Sequence, residues 1–577
     1  MSWLFGIIGP NIRNGDLHRY RTFHDTQIYE YVKEGSHYFA GGGNIQTCFS
    51  GKNAADGSFW MGLGIILQTE DRGSKIYSRE EWSSIAHNAE MLKGQNGHYV
   101  LLTFDGNLFN IQTDALGLRT IYWAQIENEI VISTRMDWIA KYRNGSTVDY
   151  RNTGSRWLLF NQLSYRSLVK ETNRLGPNGK MTVRNNRVTF TSKLFTTPPA
   201  FTTIISREDA VESLQAFLLP ELKGKQISLG LSGGLDSRVL LSLILRSGRK
   251  DFQTHTFGNL LDPDVSVPKT IAEKERFVNI TYDTLITTTQ ELTTILLSYA
   301  AETNLIEPIS TALRLKNVFS LDPNRFILID GGFGEIARRQ YMNRLALYGE
   351  RPFRDHNIEL ILNNLRVRRG NFFSVDIVRQ MEEGVHEEIS EMMQTMPDIR
   401  EIGLGNYLDL WSVRARFPNF GSDEQARLDK HILNYMPFAQ LSFINSVFSM
   451  PISLRKNGTL FREIIKTSYT QLTKYPLVKS GVTYPFSFST KASWLFTKIK
   501  SMTGKRFNEN HIDPFLGIMR EYIFDLLHSK GVQENPAYNY PHIRSSIENY
   551  YRGDMTNKSE LIWWLTFELW RRSVELK

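Results

Sequence analysis

Ser232-Gly-Gly-Leu-Asp-Ser237 is the segment that most narrows what this chain can fold into. It follows Gln226-Ile-Ser-Leu-Gly-Leu231, a short buried-strand pattern. It precedes Arg238-Val-Leu-Leu-Ser-Leu-Ile-Leu245, an apolar helical run closed by Gly248 with Arg246 and Arg249 beside it. A strand that enters a glycine turn and then a helix aims several backbone N–H groups at one point. The positive end of the helix dipole adds to them, so that point favours phosphate. Gly233 and Gly234 let the backbone approach closely, Ser232 and Ser237 add hydroxyls, and Asp236 offers an oxygen ligand for Mg²⁺. The lysine and the spacing of the Walker loop are missing. A serine-glycine turn before an ordinary helix is the plainer alternative, and the full hexapeptide in strand–loop–helix context argues against it.

A chain of 577 residues is too long for one core, so two domains are expected. To about residue 195 the pattern is mostly β: Tyr99–Phe104 and Glu129–Ser133 are strand-like, and Asp105-Gly106 and Asn185-Asn186 are turn signals. The pattern breaks at Thr196-Thr-Pro-Pro-Ala200, the candidate linker. Beyond it strands alternate with helices, with Phe252–Phe257 and Arg325–Asp330 as further strands, which argues for a parallel, doubly wound sheet. From about residue 340 the chain reads as helical, ending in Leu561–Trp570.

The apolar start, Met1–Pro10, lacks a basic n-region and reads as a buried strand. With no apolar run of membrane-spanning length, no membrane partner is expected. The one cysteine, Cys48, excludes an internal disulfide and a cysteine-rich metal site, and fits a reducing, cytoplasmic setting. A net charge of +8 is modest for this length and implies a basic surface without a nucleic-acid partner.

The hexapeptide resembles the pyrophosphate loop of the N-type ATP pyrophosphatases, and with Leu235 it is similar to the asparagine synthetase family. Asp114-Ala-Leu-Gly-Leu-Arg-Thr-Ile-Tyr122, followed by Ile132-Ser-Thr134, resembles part of that family's N-terminal glutaminase-like domain. Asp262-Pro-Asp264 with Ala272, Met436-Pro-Phe438, Ser449-Met-Pro451 and Lys479-Ser-Gly481 resemble segments of its synthetase domain. The resemblance implies an α+β N-terminal glutaminase-like (Ntn-type) β-sandwich domain over residues 1–195. It also implies an α/β synthetase domain over residues 196–577, with a parallel doubly wound sheet and a helical C-terminal part. In that family ATP and a carboxylate give an acyl-adenylate and pyrophosphate, and an amine then displaces AMP to form an amide. By resemblance Asp236 holds Mg²⁺, Lys479 touches the pyrophosphate and the transition state, and Leu231 and Phe257 line the adenine pocket.

Two departures matter. Family members with glutaminase activity expose an N-terminal cysteine before Gly-Ile; here Gly6-Ile7 puts Phe5 at that position, and Ser2 lies three residues too early. Residues 328–335, Leu-Ile-Asp-Gly-Gly-Phe-Gly-Glu, stand where the family carries Ser-Gly-(Glu/Asp)-Gly-x-Asp-Glu. Gly331 replaces the catalytic acid and Gly334 the metal-binding aspartate, leaving Asp330 and Glu335 either to take over part of the metal or general-base work, with Glu335 a second metal ligand, or merely to end a strand and begin a helix. Gln440 replaces a further family aspartate, so substrate-side contacts are expected to differ.

The expected partners are a carboxylate substrate (an amino acid or a peptide) and an amine or ammonia donor, with a precursor peptide as one form of the substrate. An asparagine-synthetase-like ligase, a β-lactam- or lasso-type cyclase and a non-catalytic scaffold all remain open. An enzyme adenylating tRNA bases is disfavoured by the glutaminase-like first part. With Phe5 at the nucleophile position, the purified protein is expected to release no ammonia from glutamine. Detectable glutaminase activity would overturn that reading.

Overall fold

The computed structural model describes residues 2–9, 28–34, 37–70, 73–197, 206–218, 225–282, 289–315, 321–504 and 511–575. The fold is mixed α/β, with antiparallel sheets in the N-terminal region, a parallel sheet and a helical C-terminal part.

One antiparallel sheet runs in the order Asn173–Leu175, Ile121–Ile126, Glu129–Ser133, Trp3–Ile8, His37–Gly42, Ile28–Glu34. The second runs Arg187–Thr191, Lys180–Arg184, Phe109–Thr113, Asn96–Phe104, Phe59–Glu70, Cys48–Lys52, with Gly73–Ile76 paired to Phe59–Glu70. Alternate residues of the first strand explain its continuous apolar run. Leu4 and Ile8 pack with Leu63, Val100 and Ile111 between the sheets. Trp3, Phe5 and Ile7 point the other way, into a cluster with Trp138, Trp564 and Trp570. The buried-strand reading therefore fits Trp3–Ile8, while Met1 and Pro10 lie outside the described residues.

The parallel sheet has the order Val278–Tyr282, Phe252–Phe257, Gln226–Gly230, Phe326–Ile329, Asn434–Tyr435. Strand order reverses between Gln226–Gly230 and Phe326–Ile329. That reversal opens a crevice at the carboxyl ends of the two strands, where ligands bind in sheets of this kind. After the last of these strands the only further strands among the described residues are the short pair Leu477–Lys479 and Val482–Tyr484. Among the described residues no helix is long and apolar enough to cross a membrane.

Of the candidate linker, Pro198, Pro199 and Ala200 lie outside the described residues. Packing crosses the 195/196 division, because Leu67, Leu118 and Phe195 share a core with Leu231, Leu240 and Ile329. The segment 114–122 makes a polar link across the same division. Asp114 Oδ1 accepts from the N–H of Leu116 (3.1 Å) and Leu118 (2.9 Å), and Oδ2 from Arg119 (2.8 Å). Gly117 takes φ +70°, with Pro418 and Pro177 about 3.0–3.2 Å from where a Cβ would sit. This turn aims Arg119 at Asp429, just ahead of the last parallel strand, and His98 Nε2 reaches the same carboxylate at 3.2 Å. Burial, then the Arg119 charge, lowers the pKa of His98 well below its usual value, so His98 is neutral.

Breaking one partner of a buried pair strands the other charge, at about 3–5 kcal/mol. Asp429→Ala is therefore expected to lower unfolding stability by about that amount in a denaturant titration. A loss near zero would mean that the pair does not join the two parts.

Candidate active-site cleft

The strand Gln226–Gly230 buries Ile227 and Leu229 and delivers the loop to the reversal point. Gly234 is the N-cap of the helix Leu235–Arg246, and no side chain caps it. The serine hydroxyls turn inward. Ser232 N–H donates to Ser237 Oγ (3.1 Å), and Gly234 N–H to Ser232 Oγ (3.2 Å). Gly233 is required by packing, because a Cβ there would lie 2.1 Å from Val478 Cγ2.

Val478 N–H also donates to Gly233 O (2.9 Å), so the hairpin carrying Lys479 is tied directly to the loop. Arg238, next after the hexapeptide, strengthens the tie through Tyr475 O (2.8 Å) and Pro476 O (2.7 Å). Lys479 is exposed beside the loop, and partial desolvation followed by the Arg338 charge lowers its pKa.

The crevice is a cleft of about 640 Å³. Of the residues expected from sequence, Leu231, Ser232, Asp236, Ser237, Phe257, Asp330 and Glu335 line it. Gly233, Gly234 and Lys479 do not line it and stand at its loop edge. Phe257 stacks on Tyr282 at one side (5.7 Å between centroids). Asp330 follows the strand Phe326–Ile329, and its Oδ1 accepts the Gly332 N–H at 2.7 Å. Burial raises its pKa.

Arginines take up the two carboxylates expected to bind metal. Arg338 Nη2 donates to Asp236 Oδ2 (2.6 Å), and Nε lies 2.5 Å from Oδ1. Arg416 Nε lies 2.8 Å from Glu335 Oε1, with its guanidinium 4.9 Å from the Phe420 ring centre and 5.5 Å from that of Phe333. Gly334 allows the first pair, since a Cβ there would stand 2.5 Å from Asp236 Cγ. Gly331 has a matching reason, because its Cβ would come within 3.1 Å of Ser237 N. Burial pushes Asp236 up to about 6, against the pull of Arg338 and with Glu335 and Asp330 adding to the rise.

These donors do not fit a protein-held Mg²⁺. Both oxygens of Asp236 face a guanidinium, Glu335 has its own arginine, and no group of three metal-ligating side chains gathers among the described residues.

Sequence reasoning missed Arg338, Arg416 and Glu424. Glu424 also lines the cleft, and burial together with the Asp330 charge pushes it up to about 8. Only the nearness of Arg338 to Glu335 in sequence hinted at any of them. Gln440, which replaces a family aspartate, does not line the cleft. It is buried away from the cleft, accepting from Gly97 N–H (2.8 Å) and donating to Met436 O (2.9 Å).

The position expected for a glutaminase nucleophile holds a fully buried ring, Phe5, set edge-on to Trp138 at 6.4 Å. Cys48 is buried as well, and desolvation raises its thiol far above the ordinary range.

No family profile and no curated protein matches this chain. Among solved structures it is similar to a glutamine phosphoribosylpyrophosphate (PRPP) amidotransferase from B. subtilis complexed with ADP and GMP. That likeness has 13% identity and a TM-score of 0.23, over 58% of this chain and 77% of that one. A second similar structure, described as the allosteric regulatory enzyme of purine biosynthesis, has 11% identity and a TM-score of 0.21, over 60% of this chain and 71% of that one. Likenesses this distant do not bear on what the cleft does.

Gly334→Ala should drive Asp236 off Arg338. Overpacking of this kind costs about 1–3 kcal/mol, and Gly334→Ala is expected to lower unfolding stability by that amount in a denaturant titration. An unchanged stability would remove Gly334 from the account.

Proposed function

We propose that this chain is an ATP-dependent, amide-forming ligase that adenylates a substrate carboxylate and passes the acyl group to an amine or ammonia. The observation that carries this reading is the helix start after Gly234, uncapped by any side chain, whose Asp236 and Ser237 line the switch-point cleft, with Arg338 bound to Asp236 and Lys479 beside the loop. In the proposed reaction a carboxylate oxygen attacks the α-phosphorus of ATP, the α–β bridging bond breaks, and pyrophosphate leaves. The first-turn N–H groups, Arg338 and Lys479 meet its charge. Asp236 holds Arg338 in place. Leu231 and Phe257 flank the adenine side.

The amine nitrogen then attacks the acyl carbon, and AMP departs. The released proton goes to the Asp330–Glu424 pair, whose raised affinity for protons matches a base working near neutral pH. In this reading residues 196–577 form the synthetase part, and residues 1–195 are a glutaminase-like part without its nucleophile. The packing of Phe5 supports a nitrogen source other than glutamine hydrolysed by this chain.

The arginine pairing of Asp236 and Glu335 also favours a second reading, a protein that binds nucleotide without turning it over. Exchange of labelled pyrophosphate into ATP, driven by pools of amino acids and peptides, separates the two. The ligase reading expects exchange that depends on a carboxylate and falls at least a hundredfold in Lys479→Met. ATP binding with no exchange in any pool would favour the second.

The pH dependence follows from Asp236. Its pKa in the folded protein, about 6, lies above that of an ordinary carboxyl, so the folded state holds this proton more tightly than the unfolded chain. Below about pH 6 the carboxyl is neutral and its grip on Arg338 weakens. Exchange should therefore fall as pH drops through about 6 and level off above it. Glu424→Gln should keep exchange and lose amide formation. A profile with no acid limb would remove Asp236 from the mechanism.

A further inference from the structure

A cavity apart from the cleft is larger than it. It measures about 930 Å³ and lies between the helix Thr459–Ser468, the helix Thr490–Met502 and the Val482–Tyr484 strand. Arg462, Lys466, Lys474 and Lys500 line it, and no aspartate or glutamate does.

The cations of the cleft each have a carboxylate: Arg338 has Asp236 and Arg416 has Glu335. Among the described residues no carboxylate lies within 4.0 Å of Arg462, Lys474 or Lys500, and Lys466 only approaches Glu463, at 3.6 Å. Arg462 is half-buried, which lowers its pKa, and its buried Nε has no hydrogen-bond partner. Lys500 spans the cavity wall to Thr483 O (3.1 Å). Four cations line one cavity with no carboxylate on its wall, and a bound anion would meet their charge. Phe486 and Phe496 give the cavity an apolar wall.

We propose that this cavity is a second anion site, separate from the cleft, that takes a small, multiply charged phosphate or carboxylate ligand. It shares one element with the cleft. Thr483 and Tyr484 line the cavity, while Val478 of the paired strand bonds Gly233 of the loop. An occupant would thus hold the hairpin that carries Lys479.

The test is calorimetric titration of the full chain with inorganic pyrophosphate and, separately, citrate, with the cleft saturated by α,β-methylene-ATP. One further equivalent of pyrophosphate or citrate is expected to bind per chain. Lys466→Ser/Lys474→Ser, two exposed positions, should weaken it at least tenfold and leave the ATP analogue within twofold. Lys500→Met gives an independent second variant with the same expectation. Pyrophosphate binding alone identifies a phosphate ligand, and citrate alone a carboxylate ligand. Binding of neither, or binding that all three lysine changes leave intact, overturns the proposal. If the analogue itself fails to bind, the nucleotide reading fails, and pyrophosphate titrated without it still decides the cavity through the wild-type-to-variant difference.

Discussion

Everything around the cleft depends on how the charge of Asp236 is met. The carboxylate is partly withdrawn from water, and the guanidinium of Arg338 faces both its oxygens across 102 residues of sequence. That pair joins the helix after the loop to the turn after the neighbouring strand, and so sets the width of the crevice between them. The turn can come this close only because residues 331 and 334 carry no side chain. The glycines that first read as losses from a familiar acidic motif are the space the ion pair occupies.

Two further attachments fix the frame. The Val478–Gly233 hydrogen bond and the two carbonyl contacts of Arg238 hold the lysine hairpin against the loop. Arg119 and His98 reach from the first part of the chain to Asp429, beside the last parallel strand. The first part thus braces the parallel sheet through the turn built on Asp114.

Much of this was legible in the sequence. Period-two and continuous apolar runs marked Tyr99–Phe104, Gln226–Gly230 and Phe252–Phe257, and the hexapeptide placed the loop between strand and helix. Leu231, Phe257, Asp330 and Glu335, singled out by the family resemblance, line one cleft. The roles of the polar groups were harder to read, because spacing says nothing about which partner a side chain finds. Ser232 and Ser237 bond each other's loop atoms. Gln440 serves a junction with Gly97, 343 residues away. Arg338, Arg416 and Glu424 find their partners Asp236, Glu335 and Asp330 in distant chain segments, which the order of residues does not give.

The central claim is that this cleft splits ATP between its α- and β-phosphates with Arg338, held by Asp236, facing the leaving group. The direct measurement is ³¹P NMR of ATP turned over by wild-type protein and by Arg338→Met in the presence of a carboxylate pool that supports turnover. The account predicts AMP and pyrophosphate from the wild type and at least a hundredfold slower formation of both in the variant. ADP and orthophosphate as products, or an Arg338→Met protein as fast as wild type, would contradict it.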